Sequence, residues 1–333
     1  MEKFNWANKK VLVTGAGGFI GSHLCEQLSR MGANVRAMVH YNALGRWGWL
    51  DYADTRGKLD IFPGDITDRD SVSEAVNDRS IIFHLAALIS IPYSYAAPES
   101  YVQTNILGTL NLLEAAKEAR IRRFIHTSTS EAYGTAQYTP IDENHPLRGQ
   151  SPYAASKIGA DKIAESFYCS FGLPVVVVRP FNTFGPRQSA RAIVPAIITQ
   201  ALSRKTIKLG ATYPVRDLNF VKDTVLGMIA AAESPDSALG EVFNIGSGRE
   251  ISILELANLI IRMTGKKVRI KSISERFRPK NSEVERLLAD TAKAAKILNW
   301  RPRYTLERGL EETVAWFKRP GNLELYKSDR YIV

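Results

Sequence analysis

A glycine-rich turn near the N-terminus constrains the fold of this chain more than any other feature. In VLVTGAGGFIGSHLCEQL, Gly15, Gly18 and Gly21 lie between a β-branched run and an amphipathic segment of helical period. The first glycine allows the tight turn, the second lets the backbone approach a pyrophosphate, and the third allows close packing of helix on strand. Because a strand pattern precedes this turn and a helical pattern follows it, the turn predicts a dinucleotide-binding βαβ unit.

Short apolar runs recur up to Pro180, separated by amphipathic segments of helical length. These runs are VLVTG, VRAMV, IIFHLAAL, RFIHTSTS and VVVVRP. They are nearly continuous in apolar residues, as expected for parallel strands that are covered on both faces. We therefore predict an α/β fold, with a Rossmann-type doubly wound parallel sheet and a smaller α/β C-terminal substrate domain.

The regular alternation ends after Pro180, which sets the predicted domain boundaries. Residues 1–180 are expected to form the dinucleotide-binding domain, and residues 213–245 to be partly threaded back into it. Residues 181–212 and 246–333 are then expected to form the substrate domain.

The charge, the hydropathy and the cysteines of the chain exclude several classes of function. The formal net charge is +10, and residues 261–333 carry 18 Lys or Arg against 9 Asp or Glu. These charges are scattered at helical periods without an RNA-binding or zinc-finger pattern, so we predict a solvated basic face that attracts a nucleotide diphosphate and no nucleic-acid partner. The sequence has no membrane-span or signal-peptide pattern, and Cys25 and Cys169 lack metal-ligand spacing, so we expect a cytoplasmic protein without a metal site.

The end of the second predicted strand does not carry the acid that usually bonds the adenosine ribose of NAD. Val39 and His40 occupy that place in VRAMVHYN, and no Arg stands where it would clamp a 2'-phosphate. The choice between NAD and NADP therefore stays open at this level. Asp65, in PGDITD, is a candidate acceptor for the adenine amino group, with a turn-capping role as an equal alternative.

Tyr153 and Lys157 form a candidate acid/base pair in SPYAASKIGADKIAESFYCSFG. They are four residues apart in a helical pattern, so both project from one face of the predicted helix. A nearby ammonium group favours the phenolate and is expected to bring the Tyr pKa closer to the working pH.

Taken together, the motifs resemble the extended short-chain dehydrogenase/reductase family over essentially the whole chain. The stretches that carry the resemblance are TGAGGFIG, HLAAL, NILGT, the hydroxyl cluster HTSTS, YAASK and RPFNTFGPR. The resemblance implies that Tyr153 is the acid/base, that Lys157 orients the nicotinamide ribose, and that Thr129 holds the substrate hydroxyl. The candidate cofactor-binding residues are Gly15, Gly18, Phe19, Ile20, Gly21, His40, Asp65, Ile66, Leu85, Ala86, Ala87, Tyr153 and Lys157.

Glu131, in HTSTSEAYG, is the candidate that distinguishes reactions within this family. Members that only epimerise C4 of a sugar generally lack an acid at this position, whereas the 4,6-dehydratases carry S-T-D-E or S-T-S-E with the Glu as a base. Oxidation of the C4 hydroxyl to a ketone acidifies the C5 proton, which a carboxylate can then remove. The alternative is that Glu131 caps a turn or pairs with an Arg.

A narrower resemblance points to one branch of the family. YNALGRWGWLD, HLAALISIPYSY and HTSTSEAYGTAQYTPIDE are similar to NAD-dependent 4,6-dehydratases that begin legionaminic acid or bacillosamine-type sugar synthesis. This implies UDP-N-acetylglucosamine or GDP-N-acetylglucosamine as the substrate. Ser130 stands where dTDP-glucose dehydratases carry the Asp that protonates the leaving water, so the source of that proton stays open.

The resemblance also implies substrate contacts and a homodimer. The candidate substrate-binding residues are Tyr93, Asn182, Arg187, Arg216 and Arg278. The dimer would form through the Tyr153 helix and a helix at about residues 100–119. Three alternatives stay open: a nucleotide-sugar decarboxylase, a C4 epimerase, and a noncatalytic dinucleotide-sensing or RNA-binding protein.

Overall fold

The computed structural model describes residues 4–54 and 57–326. The outer ends of the two predicted domains, residues 1–3 and 327–333, lie outside the described residues. The strands, in chain order, are β1 Lys10–Thr14, β2 Asn34–Val39, β3 Asp60–Pro63, β4 Ile81–His84, β5 Arg123–Thr127, β6 Val175–Pro180, β7 Asn182–Phe184, β8 Thr206–Leu209, β9 Val215–Phe220, β10 Val242–Ile245, β11 Glu250–Ser252, β12 Arg269–Ser272 and β13 Arg286–Leu287.

The helices alternate with these strands through the first part of the chain. They are α1 Phe19–Arg30, α2 Arg69–Val76, α3 Ile91–Ala96, α4 Pro98–Tyr101, α5 Gly108–Glu118, α6 Pro152–Phe171, α7 Ile193–Ser203, α8 Val221–Ala232, α9 Ile253–Thr264, α10 Ala292–Ile297 and α11 Leu306–Lys318. A π-helical turn, Val102–Leu107, joins α4 to α5. Among the described residues, no helix combines the length and the apolar character needed to cross a bilayer.

Seven parallel strands form the large sheet in the order β10-β6-β5-β4-β1-β2-β3. The connections reverse direction between β1 and β4, which opens a crevice at the carboxyl ends of these strands, where ligands bind in such sheets. The predicted α/β fold with a Rossmann-type sheet is confirmed.

Both faces of the sheet are buried, which explains why its strands are nearly continuous in apolar residues. Val11 and Val13 of β1 lie in the cluster that contains the buried residues of α1 and α8. Leu12, between them, lies in the cluster on the other face, with residues of α2, α5 and α6. Successive side chains of a strand point to opposite faces, so apolar residues predominate on both faces of these strands.

A smaller group of elements follows β6. In it, β9 pairs with β7, β11 and β13, while β8 pairs with β12, and α7 packs on α9. Residues 213–245 are divided between the two groups of elements, because β9 belongs to this small sheet. The predicted domain boundaries stay a prediction. Only α8 and β10 rejoin the large sheet, where β10 pairs with β6. The polar residues of β9 explain the difference: buried Asp217 accepts hydrogen bonds from backbone N–H groups of the surrounding loops, including those of Ser247 and Gly248.

Candidate active site

The glycine-rich turn between β1 and α1 forms a cradle for an anion. Gly15 has φ of +67°, and a Cβ there would lie 2.8 Å from the backbone nitrogen of Ala86. At the start of α1, Gly18 is the N-cap without a side-chain cap, and no acid stands in the first turn, which begins with Phe19, Ile20 and Gly21. The first N–H groups of this helix are therefore available to a pyrophosphate, so the residues present fit a dinucleotide.

The loop after β4 forms the second wall of the cradle. Thr14 Oγ1, at the end of β1, accepts hydrogen bonds from the backbone N–H groups of Leu85 and Ala86, each at 3.1 Å. Ala87 follows in the same half-buried loop. The structure thus brings the two predicted cofactor segments together at the carboxyl edge of the sheet.

The adenosine end of the crevice contains the predicted His40 and Asp65. His40 Nε2 lies 3.3 Å from one carboxylate oxygen of Asp65. The other oxygen of Asp65 accepts hydrogen bonds from the backbone N–H and the hydroxyl of Thr67. Asp65 thus caps its own turn, and the following Ile66 is buried in the core.

The helix α6 carries the Tyr and Lys pair into this crevice. Ser151 caps the helix by accepting a hydrogen bond from the backbone N–H of Ala154, and Pro152 occupies a first-turn position where its missing N–H costs nothing. Tyr153 and Lys157 are both buried on the inner face. Lys157 Nζ donates a hydrogen bond to the carbonyl oxygen of Thr127 at 2.7 Å, which fixes α6 against the end of β5.

The pKa values of Tyr153 and Lys157 are set mainly by burial. Burial, opposed by the charge of Asp161, lowers the pKa of Lys157 to about 8. Burial also raises the pKa of Tyr153, opposed by a hydrogen bond with Thr129 and reinforced by the charge of Glu131. In the chain by itself, burial and the nearby carboxylate thus outweigh any lowering of the Tyr153 pKa by Lys157, and the net pKa is raised.

Thr129, Ser130 and Glu131 lie where β5 ends, at the start of a short 3-10 turn, Ser130–Tyr133. Thr129 Oγ1 accepts a hydrogen bond from the backbone N–H of Glu131 at 3.2 Å. Glu131 is buried, 8% exposed, and its charge acts on both Tyr153 and Arg216. Burial lowers the pKa of Arg216, and Glu131 is the strongest charge opposing that change. The negative charge of Glu131 thus raises the pKa of both the Tyr153 phenol and the Arg216 guanidinium.

A buried polar network supports this turn from behind, and the sequence analysis missed it. Asp161, one helical turn after Lys157, accepts hydrogen bonds from Ser128 Oγ at 2.6 Å and from Arg179 Nη2 at 3.0 Å. His126 Nε2 lies 3.1 Å from the other carboxylate oxygen. Although burial alone would raise it, these partners lower the pKa of Asp161 to about 2. Two features of the sequence could have indicated this network: Asp161 follows Lys157 by four residues, and Arg179 is the lone charged residue of VVVVRP.

Two of the five predicted substrate residues share a partner. Arg216 Nη2 and Arg278 Nη1 lie 3.3 Å and 3.6 Å from the same carboxylate oxygen of Glu283, a residue that the sequence analysis did not select. Asn182, at the start of β7, has a buried Oδ1 with no hydrogen-bond partner among the described residues. This oxygen is an acceptor available to a polar ligand.

Tyr93 and Arg187 occupy different surroundings. Tyr93, on α3, is exposed, and its ring lies 6.2 Å from that of Tyr101, which in turn lies 6.2 Å from Tyr153. Arg187 was predicted to lie next to the sugar diphosphate, but its guanidinium is directed to α1. It lies 2.7 Å from a carboxylate oxygen of Glu26, a buried acid that requires a counter-ion.

The sequence is similar to those of nucleotide-sugar dehydratases and epimerases. A family model described as GDP-mannose 4,6 dehydratase matches residues 12–313. The low-salt glycan biosynthesis protein Agl12 of Haloferax volcanii is 34% identical, over 92% of this chain and 98% of the relative. A dTDP-glucose 4,6-dehydratase of an Actinoplanes species is 33% identical, over 93% and 98%. A UDP-glucose 4-epimerase of Mycolicibacterium smegmatis is also 33% identical, over 93% and 98%.

The fold is also similar to that of solved structures of such enzymes. DesIV, a dTDP-glucose 4,6-dehydratase from Streptomyces venezuelae solved with NAD bound, superposes with a TM-score of 0.86 at 29% identity, covering 96% of this chain and 99% of that one. NAD in such relatives supports the cofactor prediction, and the cradle described above fits it. The chain therefore belongs to the extended short-chain dehydrogenase/reductase family of NAD-dependent nucleotide-sugar dehydratases and epimerases.

Proposed function

We propose that this protein is a nucleotide-sugar 4,6-dehydratase that converts UDP-N-acetylglucosamine or GDP-N-acetylglucosamine to the 4-keto-6-deoxy sugar nucleotide. The observation that carries the proposal is the buried carboxylate of Glu131, whose charge acts on Tyr153 at the cofactor crevice. A C4 epimerase has no step that needs this base, because it only removes and returns a hydride at C4.

The first step would be oxidation at C4. Thr129 is hydrogen-bonded to Tyr153, so a substrate hydroxyl can be held between the two side chains. Tyr153 takes the hydroxyl proton, and Lys157, fixed on Thr127, holds positive charge beside it. Bound NAD supplies the hydride acceptor for C4 and, later, the hydride donor for C6.

The second step would be loss of water across C5 and C6. The C4 ketone acidifies the C5 proton, and Glu131 removes it. The C6 hydroxyl leaves as water after it gains a proton, for which Ser130 and Glu131 are the adjacent candidates. C6 then receives the hydride and C5 regains a proton, so the net change is the loss of one water.

The diphosphate would be held by the two arginines that meet at Glu283. Arg216 and Arg278 present planar guanidinium groups, which suit phosphate oxygens. Asn182 would offer its free acceptor to a sugar hydroxyl. We also propose a cytoplasmic homodimer that contacts its partner through α5 and α6.

Product masses separate this proposal from its alternatives. The enzyme would be incubated with UDP-N-acetylglucosamine, GDP-N-acetylglucosamine and UDP-glucuronate, and the products examined by mass spectrometry. We expect the loss of one water from an N-acetylglucosamine nucleotide. Loss of carbon dioxide from the uronate alone would identify a decarboxylase, and a product of unchanged mass would identify an epimerase. A salt-sensitive shift of RNA without turnover would support the noncatalytic alternative.

A further inference from the structure

The segment Arg278–Glu285 leads into β13, and we name it the 278–285 strap. Thr135 and Gln150 hold its backbone: Gln150 Nε2 donates to the carbonyl oxygen of Asn281 at 3.1 Å. Thr135 Oγ1 accepts a hydrogen bond from the backbone N–H of Glu285 at 3.3 Å. The strap is therefore fixed to residues that follow the catalytic turn.

The side chain of Glu283 points from this fixed backbone towards the arginines. Its Oε1 lies 3.3 Å from Arg216 Nη2 and 3.6 Å from Arg278 Nη1. The Glu283 side chain is 13% exposed, that of Arg216 7% and that of Arg278 28%. One mostly buried carboxylate thus lies beside two guanidinium groups and offsets one of their two positive charges.

Arg216 could not be buried here without such a partner. Burial lowers the pKa of Arg216, and the charge of Arg278 lowers it further because the two cations repel each other. The charges of Glu131 and, to a smaller extent, Glu283 oppose this change. A bound diphosphate would bring more negative charge to the same N–H groups than one carboxylate does. The Arg216 Nη2 N–H group that donates to Glu283 at 3.3 Å cannot donate to a phosphate oxygen at the same time, so the two anions compete for it.

We infer that Glu283 is an internal counter-ion that holds Arg216 and Arg278 in the free enzyme and that the diphosphate of the substrate displaces. The inference rests on the proposed function, because it takes these arginines to be the diphosphate site. Glu283 thereby stabilises the free enzyme and weakens the binding of every nucleotide diphosphate, including the product. Glu283 therefore sets the affinity for the nucleotide diphosphate and takes no part in the reaction, which Thr129, Glu131 and Tyr153 carry out.

Calorimetric titration of the NAD-containing enzyme with UDP, GDP and dTDP tests this role. Glu283→Gln keeps the size of the side chain and removes its charge, so we expect about tenfold tighter binding of the nucleotide that wild type prefers. Affinity should also fall more steeply with added salt, because the site gains one net positive charge. A thermal scan without nucleotide should show earlier unfolding of this variant.

Glu285→Gln provides the matched control. Glu285 is an exposed acid of the same strap, and it contacts Arg216 only through its backbone carbonyl oxygen. The control removes the same charge from the same segment and should leave affinity within about twofold of wild type. Glu283→Asp, which keeps the charge but shortens the reach, should give an intermediate affinity and serves if Glu283→Gln does not fold.

The possible results separate this inference from the proposed function. If wild type binds a nucleotide diphosphate and Arg216→Gln abolishes binding, but neither Glu283 variant binds more tightly, the counter-ion role is overturned and the diphosphate site stands. Equal tightening in Glu285→Gln would also overturn it, since net charge would then explain the effect. If neither wild type nor any variant binds UDP, GDP or dTDP, the proposed function itself is wrong.

Discussion

Glu131 and Tyr153 serve different steps of the proposed reaction, so their loss should stop it at different points. Glu131→Gln keeps the shape of the turn and removes the base, and we expect product formation to fall by about a thousandfold. Oxidation at C4 should continue, so absorbance of the reduced cofactor should accumulate after substrate is added. Normal turnover by this variant would remove Glu131 from the mechanism.

Tyr153→Phe should stop the reaction one step earlier. Without the phenol, the C4 hydroxyl has no proton acceptor, so neither reduced cofactor nor product should form, with a loss of about a thousandfold or more in rate. Tyr168→Phe, on the same helix but half-buried against a core cluster near the C-terminal end of α6, is the control and should retain activity. Rapid reduction of the cofactor by the Tyr153 variant would contradict its role.

Asp161 stabilises the site through Arg179, and its effect should depend on pH. Asp161→Asn leaves the buried guanidinium without its carboxylate, so the free energy of unfolding should fall by about 3 kcal/mol at pH 7. The folded-state pKa of about 2 lies below the ordinary pKa of 3.8 for an Asp side chain, so this contribution is complete above pH 3.8 and is lost as pH falls towards 2.

Urea unfolding at a series of pH values from 7 down to about 2 measures this difference, because the contribution is lost only as pH falls through the folded-state pKa. The curves of wild type and Asp161→Asn should converge at the acid end. The double variant Asp161→Asn, Arg179→Gln is the control, because it removes the unpaired charge and should recover part of the loss. A constant difference at every pH would show that the Asp161 charge is not the cause.

The turn between β1 and α1 has no room for a side chain at Gly15. Gly15→Ala forces a Cβ within 2.8 Å of the Ala86 backbone at a φ of +67°, so the loop after β4 must move. Gly172→Ala, at the end of α6, has a similar φ of +66° but no atom within 4 Å of the new Cβ. The second change should cost roughly 1 kcal/mol of stability and leave NAD binding intact.

Gly15→Ala should add to that cost a loss of about tenfold or more in NAD affinity, since the displaced loop forms the cradle. Fluorescence titration of both variants with NADH compares them directly. Equal affinities would mean that the Gly15 turn does not form the dinucleotide site.

At the scale of elements, α6 and β9 show what sequence patterns predict and where they fail. Ser151, Pro152 and Gly172 are local signals, and the structure begins and ends α6 at these positions. The place of β9 depends on distant partners instead, because Asp217 requires N–H donors from the Ser247–Gly248 turn. Local periodicity does not contain that information, so the sequence could not say which residues of 213–245 belong to the large sheet.

For the whole molecule, the proposed dimer makes a prediction about the π-helical turn before α5. Val102 and Leu107 are exposed apolar residues on it, at 46% and 40%. A lysine at Leu107 would have to be buried in an interface, so Leu107→Lys should shift sedimentation from dimer to monomer at micromolar concentration. Leu254→Lys changes a similarly exposed leucine of α9 and should leave the sedimentation unchanged.

The sequence by itself determined the Rossmann-type sheet, the glycine cradle, the Tyr153 and Lys157 helix and the position of Glu131 after β5. These features depend on residues close together in the chain, where spacing and period carry the signal. Only the tertiary structure decided that Arg187 pairs with Glu26, that burial raises the pKa of Tyr153, and that Glu283 lies between Arg216 and Arg278. The physical reason is that desolvation and charge pairing depend on distances between residues far apart in sequence, and folding alone sets those distances.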